Sequence, residues 1–113
     1  MTGEKSRVIS VGIAADDTVS DVISIPSWAA FVAIQFPAMV GNTFTFTGCA
    51  TPDGSFVQLV DEEGTALSHT ITDSKIVTLP PATQTRLMAV PHWKIVSGST
   101  ETSAVTIKVF VKG

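Results

Sequence analysis

Apolar residues recur at every second position along most of the chain, the spacing of strands that bury one face. The alternation is plainest in the C-terminal run SAVTIKVFVKG. There Val105, Ile107, Val109 and Val111 fall on one face and Thr106, Lys108 and Lys112 on the other, with Phe110 alone interrupting the polar side. Shorter runs of the same kind are bounded by turn formers such as Ile25-Pro26-Ser27, Gly41-Asn42 and Leu79-Pro80-Pro81. They predict strands near 6–13, 19–25, 29–36, 43–47, 55–60, 66–71, 75–79, 86–90 and 93–97. In FVAIQF, Phe31 or its neighbours Val32, Ile34 and Phe36 are expected in the core. Because neither face of that strand is charged, one should meet an opposite sheet and the other a subunit or loop. The β-branched residues number 38 (14 Val, 9 Ile and 15 Thr), a composition that favours strands over long helices. The expected fold class is all-β, a single-domain β-sandwich of about eight to ten short strands.

A length of 113 residues suits one compact domain, which buries roughly 65% of the surface its unfolded chain exposes. The division expected is a possible N-terminal arm over residues 1–15, followed by a β-sandwich over 16–113. The arm, mixed polar and apolar from Thr2 to Ala15, could add a strand to a neighbour's sheet edge. With 44% hydrophobic and 15% charged residues and a net charge of −3, the chain is neither a polyelectrolyte nor disordered. Its basic residues Lys5, Arg7, Lys75, Arg86, Lys94, Lys108 and Lys112 are scattered singly, whereas a phosphate backbone calls for a basic stripe, so nucleic acid is not an expected partner. The uncharged stretch from Val22 to Pro52 is broken by Pro26, Pro37, Gly41 and the TFTFTG run, so it reads as buried strands and no membrane partner is expected. Lys5 and Arg7 precede a short apolar run that Asp16 and Asp17 end at once, too brief for a secretion signal. The lone Cys49 has no cysteine to pair with. Together these features fit synthesis in a reducing cytoplasm.

The densest group of carboxylates lies in TPDGSFVQLVDEEG, residues 51–64. Thr51-Pro52-Asp53-Gly54 and Asp61-Glu62-Glu63-Gly64 both carry turn chemistry, which leaves Ser55 to Val60 as the strand between them. A calcium loop needs oxygen ligands at alternating positions, a spacing that DEEG lacks. A glycosidase needs two carboxylates facing across a cleft, which one sequence does not show. His69 and His92 stand alone, without metal-ligand spacing, and read as surface or core residues. Cys49 reads as a small buried hydrophobe. The Ser97-Gly98-Ser99 run reads as a tight turn before the last strand rather than a nucleophile elbow. Trp28 and Trp93 could stack on sugar rings, but each follows a turn signal and leads into an apolar run, which favours packing at a sandwich edge. No residue is therefore assigned a catalytic, cofactor-binding or metal-binding role, and no enzymatic activity is expected.

The order of these features resembles a family. IPSWAAFVAIQFPAMVGNTFTFTGCATPDGSFVQLVDEEG followed by WKIVSGSTETSAVTIKVFV is similar to small structural proteins of tailed bacteriophages. In those proteins a P-A pair, a T-G-S-x-D-G-type turn and a K-I-x-S-G-S strand precede a terminal valine-rich strand. The likeness spans roughly Val8 to Val111. Two departures stand out: Met39 occupies a position where the family often has Trp, and Cys49 one where it has Ser. The resemblance implies a capsid decoration or cement protein, a jelly-roll β-sandwich located on the virion. Its implied partners are the major capsid protein and further copies of itself, with a trimer favoured. The alternative on the same fold is a carbohydrate- or receptor-binding module of a phage fibre or tail, which would need Trp28 or Trp93 exposed.

Overall fold

The computed structural model describes residues 5–113. Ten strands and one short helix follow in the order β1 (Ser6–Ile13), β2 (Asp17–Val19), β3 (Ile23–Ser24), β4 (Phe31–Gln35), β5 (Thr43–Cys49), β6 (Val57–Gln58), β7 (His69–Thr70), β8 (Ile76–Thr78), α1 (Pro81–Met88), β9 (His92–Glu101) and β10 (Val105–Lys112). The strands form two antiparallel sheets. The first has the order β1-β10-β4-β8; the second has the order β2-β9-β5-β6, with β3 also on β9 and β7 also on β5. Taken as interrupted single strands, β2 with β3 and β6 with β7 reduce the sheets to the orders 1-8-3-6 and 2-7-4-5. That is the strand order of a jelly roll, so the all-β sandwich expected from the alternation is the fold.

Alternation decides what fills the space between the sheets. Val11, Ile13, Val32, Ile34, Phe36, Ile107, Val109 and Val111 face inward from the first sheet or its strand ends, and Ile23, Phe44, Phe46, Trp93 and Ile95 from the second. A chain of aromatic contacts crosses the interior: Phe36 to Phe44 at 4.8 Å, Phe44 to Phe46 at 5.4 Å and Phe46 to Trp93 at 5.3 Å between ring centroids. Tilted and edge-on pairs of this kind add to the area they bury.

Several expectations are corrected. Residues 86–90 are not a strand: α1 begins with Pro81 at its first position, where proline's missing N–H costs nothing, and buries Thr83 and Leu87, four residues apart. The run RLMAV looks like a strand because the inward partner of Leu87 is a threonine, which hides the helical period. Gln84 on this helix accepts the Val32 N–H at 3.0 Å and donates to the Leu79 carbonyl at 2.9 Å, so a side chain takes up the ladder beside β4 where β8 stops. Ser97 to Ser99 lie inside β9, and the turn before β10 falls later, at 102–104. Phe31 is 60% exposed; its neighbours Val32, Ile34 and Phe36 hold the core face of β4.

The segment read as a possible arm, residues 1–15, contains β1, which pairs with β10 from Ser6↔Lys112 to Ile13↔Val105 and places Val11 and Ile13 in the core. From Ser6 to Ile13 this segment is a strand of the sandwich itself; residues 1–4 lie outside the described residues.

Candidate functional site

The pleat that points Val11 and Val109 inward points the neighbouring residues outward. On the outer face of the first sheet, Val8, Phe110, Ala33 and Thr78 lie in one cross-strand row. Ser6, Lys112 and Phe31 form the row on one side, and Ser10, Lys108, Gln35 and Ile76 the row on the other. Val8 is 54% exposed and Ile76 55%. A shallow groove of ≈ 500 Å³ runs between Val8, Phe31, Ala33 and Phe110, with Arg7 and Lys112 at its end. No outward-facing position of these four strands is an aspartate or glutamate, so among the described strand positions an apolar centre stands beside Lys108 and Lys112. Apolar side chains grouped with polar neighbours in this way mark a binding surface more than scattered ones do. Arg7 sits at the sheet's end with its guanidinium 5.7 Å from the ring centre of the half-buried Trp28, within cation–π range.

The carboxylates of residues 51–64 lie elsewhere, in two turns off the second sheet. Asp61 Oδ1 accepts the N–H groups of Glu63 and Thr65, each at 2.9 Å, which holds its carboxyl below the ordinary aspartate range. Glu62 pairs with Arg86 of α1. In the 51–54 turn the Gly54 N–H reaches the Thr51 carbonyl at 3.4 Å, and Asp53 is exposed. Of these turn glycines only Gly64 has positive φ, at 82°. Gly54 is needed for space instead, because a Cβ there would lie 2.5 Å from Cys49 Sγ. Among the described residues no three His, Cys, Asp or Glu side chains converge as metal ligands would.

Both histidines are half-buried and engaged with a hydroxyl. His69 Nε2 lies 3.1 Å from Thr83 Oγ1, which ties β7 to α1, and its ring packs on Phe44. Burial lowers its pKa. His92 Nδ1 lies 2.9 Å from Ser24 Oγ. Cys49 is half-buried rather than buried, because β5 turns Thr43, Thr45, Thr47 and Cys49 outward while Phe44 and Phe46 face the core. Trp93 is not at an edge: it is fully buried on the central strand β9.

One residue the sequence does not single out is Glu101, 1% exposed at the end of β9. Its two carboxylate oxygens accept the N–H of Val40 at 2.9 Å, the N–H of Gly41 at 3.0 Å and the hydroxyl of Ser97 at 2.9 Å. Burial alone would raise its pKa. The three donors together outweigh burial and hold the carboxyl below the ordinary glutamate value. Glu101 thus clamps the β4–β5 connection to the second sheet. Two of its three partners, Val40 and Gly41, lie 61 and 60 positions away in sequence, so local sequence does not mark the clamp.

No protein-family profile matches the chain, and no curated protein is similar to it in sequence. Among solved structures, the SPBc2 prophage-derived protein YomS superposes on 100% of this chain and 97% of its own length with a TM-score of 0.62, at 10% identity. A chain of the Bacillus endospore appendages, described as a novel family of disulfide-linked pili, aligns over 96% of this chain and 86% of its own with a TM-score of 0.43, at 9% identity. The likeness to YomS is one of fold. Among the described residues no helix is long and apolar enough to cross a membrane.

Proposed function

We propose that this protein is a non-enzymatic structural component of a phage particle, a decoration or cement module that binds the capsid through the outer face of its first sheet. The observation that carries the reading is the apolar centre of Val8, Phe31, Ala33 and Phe110 beside Lys108 and Lys112, on a face where no described strand position is acidic. Support comes also from the order of motifs along the chain, and from a fold shared end to end with a prophage-derived protein. On this reading the major capsid protein is the partner, presenting an apolar patch with acidic neighbours, and several copies of the module act together. Each copy binds only the assembled shell and so stabilises it by mass action. The protein is made in the host cytoplasm and ends on the virion.

The alternative, a carbohydrate- or receptor-binding module of a fibre or tail, drew on the two tryptophans. Trp93 is enclosed in the core and offers no stacking face, and Trp28 is half-buried with the Arg7 guanidinium over its ring. Mixing the purified protein with empty capsids and sedimenting the mixture tests the proposal. The expected result is saturable co-sedimentation that weakens at high salt; a protein that stays in the supernatant at every concentration overturns it.

A further inference from the structure

We infer that two copies of this chain pair through the open edge of β1, antiparallel about a two-fold axis at Val8, to give one continuous eight-stranded sheet. The inference rests on the strand edge and does not need the capsid reading.

In an antiparallel pair the bonding groups of successive residues point alternately toward the partner and away from it. The Gly12 N–H goes sideways to Asp21 Oδ2 at 3.2 Å, and the Gly12 carbonyl accepts the Asp21 N–H at 3.0 Å, so Gly12 faces away from β10. Ser6, Val8 and Ser10 share its parity, and their backbone groups therefore line the same edge. Asp21 and the Ile13↔Ser20 bridge cover that edge at its far end, and among the described residues 6–10 are left open. An exposed ladder of this length is a ready template for another strand.

A second copy is the occupant the charges select. Lys5 and Arg7 stand at the start of β1; Asp16 and Asp17 follow its end, and Asp21 lies beside Gly12. Antiparallel self-pairing about Val8 brings Lys5 of each copy opposite Val11 of the other, one residue from Gly12 and the Asp21 carboxylate beside it, twice, whereas parallel pairing sets Lys5 and Arg7 against their own copies. With Val8 opposite Val8, Ser6 meets Ser10, Arg7 meets Ile9 and Lys5 meets Val11, so from Lys5 to Val11 no like charges face each other. The interface is isologous and closes on itself. It also joins the two apolar outer faces into one surface. A three-fold ring, as the sequence resemblance implies, would instead need β1 to pair with a different edge of its neighbour.

Sedimentation of the full-length protein over a range of concentrations tests the pairing, with two variants as controls. Val8→Pro removes an outward N–H and spares the bonds to β10, so it is expected to sediment as a folded monomer. Thr45→Pro is a poor control because it strikes a central strand, so Thr45→Lys on the outer face of the second sheet is used, and it is expected to remain a dimer. A wild-type protein that is monomeric throughout, one that forms trimers, or a dimer that survives Val8→Pro with its circular dichroism unchanged each overturns the inference. If Val8→Pro fails to fold, Val8→Lys, which places two ammonium groups together at the axis of an exposed position, gives the same reading.

Discussion

The outer faces of the two sheets follow the same alternation and come out differently. On the second sheet β5 turns out Thr43, Thr45, Thr47 and Cys49, and β9 turns out His92, Lys94 and Val96. Phe56 folds back over this face, with the Lys94 ammonium 4.5 Å from its ring centre. Exposed Val57 and Val60 lie in and beside β6 at the edge. The first sheet turns out Val8, Phe31, Ala33 and Phe110, and among the described residues no loop crosses its groove. Inner faces are dictated by the fold; an outer face left apolar and uncovered is where a partner's requirements enter the sequence.

The comparison is sharpest in phenylalanine truncations. Phe44→Ala removes a fully buried ring from the aromatic chain and is expected to cost about 3–5 kcal/mol in chemical denaturation. Phe31→Ala, on the outer face, should change stability by no more than about 0.5 kcal/mol. A large cost at Phe31 would mean that the outer face carries fold as well as function.

The Glu101 clamp should give the next effect. Glu101→Ala leaves the Val40 and Gly41 N–H groups and the Ser97 hydroxyl without their acceptor, at about 1–3 kcal/mol for each that finds no substitute. Gly41→Ala attacks the same place sterically, because its Cβ would collide with Ser97 Oγ. The clamp also has a pH signature. The folded carboxyl titrates below its ordinary value of 4.5, so its stabilisation is complete above that value and is lost as the pH falls through the lower folded pKa. His69 acts in the same direction at higher pH: burial holds its pKa below 6.5, so protonation favours the unfolded chain as the pH drops past that value. Melting temperatures measured from pH 7 downward should fall, and Glu101→Gln should flatten the acid limb. An acid limb unchanged by that substitution would contradict the clamp.

In the turns of residues 51–64 the effects are small. Gly64→Ala is expected to cost about 1 kcal/mol for a left-handed φ, although nothing crowds the site. Calcium or a chelator should leave the melting temperature where it is; a rise of many degrees with calcium would show that Asp53, Asp61, Glu62 and Glu63 do more than make turns.

Much of this was legible in the chain, for a physical reason. Period-two patterning located every long strand, because one face of each packs on the opposite sheet, and Phe110 stood out at once as an apolar residue on the wrong side of β10. The helix was hidden because Thr83 buries where an apolar residue would have shown the period. Ser97 to Ser99 read as a turn because Gly98 looks like one, whereas a Cβ there would lie 2.5 Å from Thr43 Oγ1, so the glycine serves a close approach of β9 to β5. The groove itself was only half readable. Val8, Phe31 and Phe110 become neighbours solely through the β1-β10-β4 order, which local sequence does not encode.

The central claim is that the outer face of the first sheet is the docking surface, and paired charge substitutions test it most directly. Phe31→Asp and Thr45→Asp place the same charge on the outer faces of the two sheets, and both proteins would be sedimented with empty capsids after their melting temperatures are shown to match the wild type. The account predicts that Phe31→Asp loses attachment and Thr45→Asp keeps it. Equal attachment of the two variants, or loss confined to Thr45→Asp, would contradict it.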